Sequence, residues 1–285
     1  MIHSMTGFGK AVIQLPNKKI TVEIKSLNSK SLDLNARIPS SYREKDLVLR
    51  KKIAQALERG KVDYSLYIEL NGEETSTQIN IPVVDEYIKQ LSLVVNGDRT
   101  ELLKMAIRMP DALKTDREEI DEEEFKHILT ATDEALLAIN LYRLDEGKVL
   151  AQDIQLRITN ISQLLQQVIA IDPERIAGVK ERLRKAVSEL KEQVDENRFE
   201  QELIYYLEKY DITEEKVRLE NHLNYFTKAI NSEDSNGKKL GFISQEIGRE
   251  INTIGSKSNF ASMQQLVVQM KDELEKIKEQ LLNVL

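Results

Sequence analysis

The chain has 285 residues, 41% hydrophobic and 31% charged, with 11 glycines, 5 prolines and no cysteine. The missing cysteine excludes disulfide scaffolds, thiolate metal centres and cysteine nucleophiles, and the shortage of turn residues excludes collagen-like, low-complexity and loop-rich sandwich architectures. The net charge of −7 is unevenly spread: residues 1–71 hold 13 Lys and Arg against 7 Asp and Glu, and the remainder holds 28 against 41.

A basic first quarter can gather phosphates by releasing counterions; an ordinary solvated sheet face gives the same count. No run of 18 apolar residues occurs, and no basic segment followed by an apolar run opens the chain. The sequence therefore reads as a soluble, cytoplasmic protein with no membrane contact, and its length suggests about two domains.

In chain order, residues 4–9 form an opening strand whose Gly7 and Gly9 signal a bulge or a close backbone approach. Residues 19–24 (KITVEI), 32–38 (LDLNARI) and 62–70 (VDYSLYIEL) alternate apolar and polar side chains with period two, as strands do. Pro16-Asn17 marks a hairpin turn between the first two strands. Residues 42–58 carry Leu47, Ile53 and Leu57 at helical spacing, with Ser40 and Ser41 as candidate caps.

Beyond Asn71-Gly72 the pattern becomes helical, punctuated only by Pro82, Pro110 and Pro173. Residues 116–124 (DREEIDEEE) read as a solvated helix start or a loop. Two heptad-like seams follow: Ile154, Ile158, Ile161, Leu165 and Val168, then Met263, Val267, Met270, Leu274, Ile277, Leu281 and Val284. Each is short for an autonomous coiled coil, so each should pack on sister helices within the chain or across a subunit interface. The fold class is α+β: a small N-terminal antiparallel sheet with one helix, then a large all-helical region with long C-terminal helices. The divisions expected are 1–72, basic and α+β; 73–172, its helical continuation; and 173–285, a C-terminal helical domain holding the site.

P-loop, HExxH, GxSxG and kinase motifs are absent, so any chemistry must come from polar groups placed on helices. Thr213 reads as an N-cap, with Leu219, Leu223, Phe226 and Ile230 as the buried stripe of its helix. Glu215, Arg218 and His222 follow at spacings of three and four along one flank. His222 is a candidate general base or metal ligand, although a histidine at a core margin is also met simply hydrogen-bonded. Residues 237–258 (GKKLGFISQEIGREINTIGSKS) bury Leu240, Ile243, Ile247 and Ile251, and place Glu246 and Glu250 together beside that stripe. A divalent cation would relieve the repulsion between these carboxylates, and so would Arg249 or Arg218. Residues 252–258 read as a polar turn whose backbone donors, with Lys257, could hold a phosphate; ordinary capping explains them equally.

The chain resembles the YicC/YloC family of bacterial proteins over essentially its whole length. The matching blocks are MIHSMTGFG at 1–9, VEIKSLNSKSLDLNARIP at 22–39, RGKV at 59–62, the segment 237–258 and VVQMKDELEKIKEQLLN at 267–283. The chain departs at Gly241 and Gly248, where polar residues are expected, and at Arg143-Leu144-Asp145-Glu146-Gly147, where the family pattern is Arg-Glu-x-Glu-Gly.

The resemblance implies a metal-dependent endoribonuclease of bacterial RNA turnover. It also implies assembly into a ring-like homo-oligomer, hexamer favoured, that clamps RNA and works beside other RNA-decay proteins. On that reading Glu246, Glu250 and Glu215 hold Mg²⁺ or Mn²⁺, His222 handles a proton, and Arg218, Arg249 and Lys257 offset charge on the scissile phosphate. Lys25, Asn28, Arg37, Arg59 and Lys61 position RNA through its backbone. The competing readings are a non-catalytic RNA-binding adaptor or chaperone that recruits another nuclease, and a purely structural oligomer.

Overall fold

A computed structural model describes residues 2–70, 78–114, 121–189, 196–232 and 237–285. The 72/73 boundary and residues 116–120 of the acidic run lie outside the described residues.

The apolar alternation produces β1 (Gly7–Gln14) and β2 (Lys18–Leu27), joined where the Leu15 N–H donates to the Lys18 carbonyl at 2.8 Å across Pro16-Asn17. β3 (Leu32–Arg37) leads through a 3₁₀ turn (Ser40–Lys45) and α1 (Asp46–Ala56) into β4 (Gly60–Leu70). The helix expected from Tyr42 thus begins at Asp46, with Ser40 and Ser41 inside the 3₁₀ turn. Strand order is β1-β2-β4-β3.

The sheet is mixed rather than antiparallel: β1–β2 and β2–β4 are antiparallel, but β3 lies parallel to β4. The reason is the helix between them, because a crossover of that length returns the chain to the same end of the sheet before β4 begins. One sheet face is apolar. Ile20, Val22, Ile24, Val62, Tyr64 and Leu66 are buried there with Leu49 and Ile53 of α1 and with Phe125, Ile128 and Ile139 of the long helix described next.

β5 (Gln78–Ile79) and β6 (Leu113–Lys114) pair around α2 (Ile81–Val94) and α3 (Arg99–Ala106), forming an arm with a small core in which, among the described residues, Val84, Leu102, Ala106 and Ala112 are buried. α4 (Glu122–Glu189) is a single helix of 68 residues that continues through Pro173, and so spans roughly 100 Å. α5 (Glu196–Lys209), α6 (Thr213–Ile230), α7 (Gly237–Lys257) and α8 (Ala261–Leu281) complete the chain. The two heptad-like seams meet one another: Ile154 to Val168 on α4 share one core with Met263 to Ile277 on α8, together with the stripes of α6 and α7. Among the described residues, no helix is long and apolar enough to cross a membrane.

The two ends of the chain are sewn together on α4. Ser4 bridges Val284, the Met5 N–H donates to Asn283 O at 2.8 Å and the Leu285 N–H to His3 O at 2.9 Å. Arg143 is buried, donates to Met5 O and Ser26 Oγ, and is held below its ordinary pKa by that burial. The Thr6 hydroxyl donates to Glu146 at 2.7 Å. A Cβ at Gly147 would lie 2.3 Å from the Ile2 carbonyl oxygen, so only glycine admits the N-terminal segment. Leu144, between these residues, takes no part in these bonds.

Gly241 is different, since a Cβ there meets nothing within 4 Å. Gly241→Ala should stabilise the protein by about 0.5–1 kcal/mol, because glycine costs that much in a helix interior. The gain would be read as a higher denaturant midpoint at unchanged m-value.

Candidate functional site

The segment 237–258 forms a longer helix than its polar residues suggest. α7 runs to Lys257, so residues 252–257 are helical rather than a turn, and their backbone N–H groups lie within the helix instead of pointing at a phosphate. Ile251 and Ile254 continue the buried stripe. Gly255 also lets α8 approach, since a Cβ there would stand 3.0 Å from Val267 Cγ1.

α6 is fixed against α7 by charge as well as by packing. Thr213 is the first helical residue rather than the cap; the Asp211 carboxylate accepts both its N–H, at 3.0 Å, and its hydroxyl, at 2.7 Å. These bonds, with the charges of Lys216 and Lys257, hold Asp211 below its ordinary pKa against the opposing effect of burial. Lys257 Nζ donates to Asp211 O at 2.9 Å and to Glu215 Oε1 at 2.7 Å. Behind them, the buried Arg175 guanidinium donates to Asp172 and to Tyr210 O, and Lys216 donates to the other Asp172 oxygen at 2.7 Å. This network ties α4 to the start of α6. Sequence reasoning missed it; the i,i+3 pair Asp172-Arg175 was its one local trace.

The Lys257–Glu215 contact sets α6 and α7 antiparallel with the end of one beside the start of the other. Moving seven residues inward on each helix, which is two turns, brings His222 and Glu250 to the same level. Glu250 is 5% exposed, and neither it nor His222 has a hydrogen bond or ion pair among the described residues. Glu215 is also buried, and its Oε2 has no partner. A buried carboxylate oxygen without a donor is costly, which applies to Glu215 Oε2; the Glu250 oxygens are unengaged but keep access to solvent, so this flank presents a carboxylate that a ligand can reach.

The remaining candidates are placed differently. Glu246 faces outward and accepts from Arg249 at 3.0 Å, and Arg218 pairs with Glu214 one turn back on its own helix. Among the described residues no three acidic or histidine side chains gather closely enough to hold an ion. A cage of Glu215, Glu246 and Glu250 within one chain is therefore not formed. Arg249 instead belongs to an open groove of about 540 Å³ on the outer face of α7, where Gln245, Asn252, Thr253, Ser256 and, from α8, Lys278 supply amides, hydroxyls and charge.

On the sheet, Lys25, Asn28, Arg37 and Lys61 are exposed. Arg59 is partly buried and donates to Val284 O at 2.8 Å, which occupies it in the seam between the chain ends.

A family model described as "Endoribonuclease YicC-like, N-terminal region" matches residues 2–152, and one described as "Endoribonuclease YicC-like, C-terminal" matches residues 168–285. The chain belongs to the YicC-like family. Two relatives align over 100% of both chains: a protein of Clostridioides difficile (strain 630), 34% identical over 293 residues, and one of Haemophilus influenzae Rd, 30% identical over 287 residues. Each is named "Probable endoribonuclease YicC". The family's two regions meet on α4, which begins in the N-terminal match and ends in the C-terminal one.

Proposed function

We propose that this protein is a cytoplasmic endoribonuclease whose chemistry is centred on His222 and Glu250 at the α6–α7 flank. The observation that carries this reading is Glu250 itself, a residue held in the helix interface whose carboxylate has no hydrogen-bond donor and still reaches solvent, level with an unengaged imidazole. Such a pair can take a proton from an attacking hydroxyl or water and return it to the leaving oxygen. Family membership and the names of both relatives support RNA as the substrate. Lys257 and Arg249, on the flank and the outer face of the same helix, would offset charge on the phosphate by exchanging their bonds to Glu215 and Glu246 for it. Arg218 would need to leave Glu214 to join them. RNA would lie in the groove along α7, steered by the basic first quarter.

Mg²⁺ or Mn²⁺ fits this flank in one mode, that in which one or two carboxylates share the ion with waters and substrate phosphate oxygens. Glu250 is the one carboxylate available to such an ion; Glu215, level with Lys257, stands two turns away along α6 and does not reach the same ion. A bound ion would polarise the phosphoryl group or acidify a water.

The protein would act as a homo-oligomer, a hexamer on the family resemblance. In support, the α2–α3 arm has a minimal core and leaves Leu93 88% and Val94 86% exposed, more apolar surface than an isolated arm should present.

The test is cleavage of an end-labelled single-stranded RNA by the purified protein with Mn²⁺, with Mg²⁺ and with a chelator. Cleavage in metal that the chelator abolishes is the expected result. Cleavage that survives the chelator removes the ion from the reading, and binding without cleavage in any metal favours the adaptor.

A further inference from the structure

The sheet has a second face, and among the described residues no helix of the chain packs on it. Strand register assigns its side chains: Phe8 pairs with Lys25, Lys25 with Asp63, Leu27 with Lys61, Thr21 with Tyr67, and Ser65 with Arg37. Because side chains alternate across a strand, Phe8, Lys25, Arg37, Lys61 and Tyr67 all project from this one surface. Both rings are open to solvent, Phe8 40% and Tyr67 48% exposed. The Lys25 ammonium stands 5.7 Å from the centroid of the Phe8 ring.

The charges here are unevenly engaged. Lys10 is tied to Glu23 and Lys19 to Glu69, while Asp63 accepts from the Asn35 amide; Asp33 adds one more carboxylate at the β3 edge. Lys25, Arg37 and Lys61 form no ion pair among the described residues. Asp63 stands opposite Lys25 and Asp33 opposite Lys61 in register, yet neither pair closes; cations left out of ion pairs and interleaved with open aromatic rings are the elements of a single-strand platform, where bases stack on rings and phosphates meet Lys and Arg. Sheet spacing separates the Phe8 and Tyr67 positions by roughly 16 Å, so the rings would hold two different bases of one strand.

A second copy of the chain is the poorer fit for this face. Protein interface cores are depleted in Lys, Asp and Glu, whereas this surface carries them on every strand. The apolar arm suits self-association better.

We infer that the open sheet face is a stacking platform for unpaired RNA bases, with Phe8 and Tyr67 as the stacking rings and Lys25, Arg37 and Lys61 as phosphate contacts. This rests on the reading of the protein as RNA-acting, and it adds a specificity: single strands bind here and duplexes do not, because paired bases present no free ring face.

The chain contains no tryptophan, so Phe8→Trp gives a single reporter. Titration with decaadenylate should quench its fluorescence, and the same sequence annealed to its complement should not. Phe8→Ala and Tyr67→Ala should each raise Kd for decaadenylate by about fivefold or more, as loss of one stacked base does. Lys25→Ala with Lys61→Ala should lower the slope of log K against log salt by about 1 to 2.

A parent protein that binds and cleaves RNA while these variants keep its Kd and salt slope overturns the platform and leaves the nuclease reading standing. A parent that neither binds nor cleaves RNA overturns both. Variants that change the oligomeric state in light scattering, with Kd unchanged, assign the face to a second copy and also overturn the inference.

Discussion

Glu250→Gln should leave RNA affinity near that of the parent and lower the cleavage rate by about 10²- to 10³-fold, the range for removing one preorganised charge from a reacting site. The substitution keeps shape and removes charge, so a fall in rate cannot be assigned to lost packing. His222→Ala should cost about 10²- to 10⁴-fold, as removal of a general acid or base does. If the two act as one unit, the double variant should be no slower than the slower single one, because residues of a catalytic unit are strongly non-additive. Multiplicative losses would instead mean two independent roles. Lys257→Ala offers a structural contrast: it releases Glu215, leaving a buried carboxylate without its cation, so it should lower thermal stability as well as rate. Single-turnover cleavage of a labelled RNA, with binding measured in parallel, checks the rates of all four variants, and a thermal melt checks the stability of Lys257→Ala. Cleavage at the parent rate by both Glu250→Gln and His222→Ala would move the chemistry away from the α6–α7 flank.

Much of the fold could be read in the sequence where a local period determined it. The alternation through Ile20, Val22 and Ile24, or Val62, Tyr64 and Leu66, depends on side chains two apart, and these strands appear as expected. The seams on α4 and α8 were equally plain, since three- and four-residue spacing is a local property. What escaped was set by distant partners or by small angles. No local feature of residues 32–37 says that β3 runs parallel to β4; the intervening helix does. Asn252, Thr253 and Ser256 looked like a turn because they are polar, yet they are the solvent side of a helix whose other side holds Ile251 and Ile254.

Glu246 and Glu250 show the same limit. Residues four apart on a helix differ by about 40° in direction, enough to send one carboxylate outward to Arg249 and place the other beneath the edge of α6. Of the blocks that carry the family resemblance, 1–9 and 59–62 are largely occupied in joining the chain ends to one another and to α4, so the fold accounts for them before any chemistry is invoked.

That joining yields the largest effect on stability. Gly9→Ala should destabilise the protein by about 3 kcal/mol or more, the upper range for forcing atoms into a packed interior. The added Cβ would sit 2.1 Å from the Ala135 carbonyl oxygen and 2.8 Å from the Ile139 backbone nitrogen. Neither atom can turn aside as a flexible side chain could. Both belong to α4, and Ala135 and Ile139 lie in the core beneath the sheet, so β1 must lift from the helix and break its ladder with β2 or the helix must bend. For a chain of this size the loss corresponds to a fall in Tm of roughly 6 to 12 °C. Because α6 and α8 pack on α4 from Ile154 onward, whereas β1 packs on it at Ala135 and Ile139, the helical signal in circular dichroism should melt in two steps in Gly9→Ala and more nearly in one in the parent. A variant with parent-like Tm would mean that β1 rides on α4 loosely enough to accept a methyl group, and the close approach of strand and helix would then not be what requires glycine at this position.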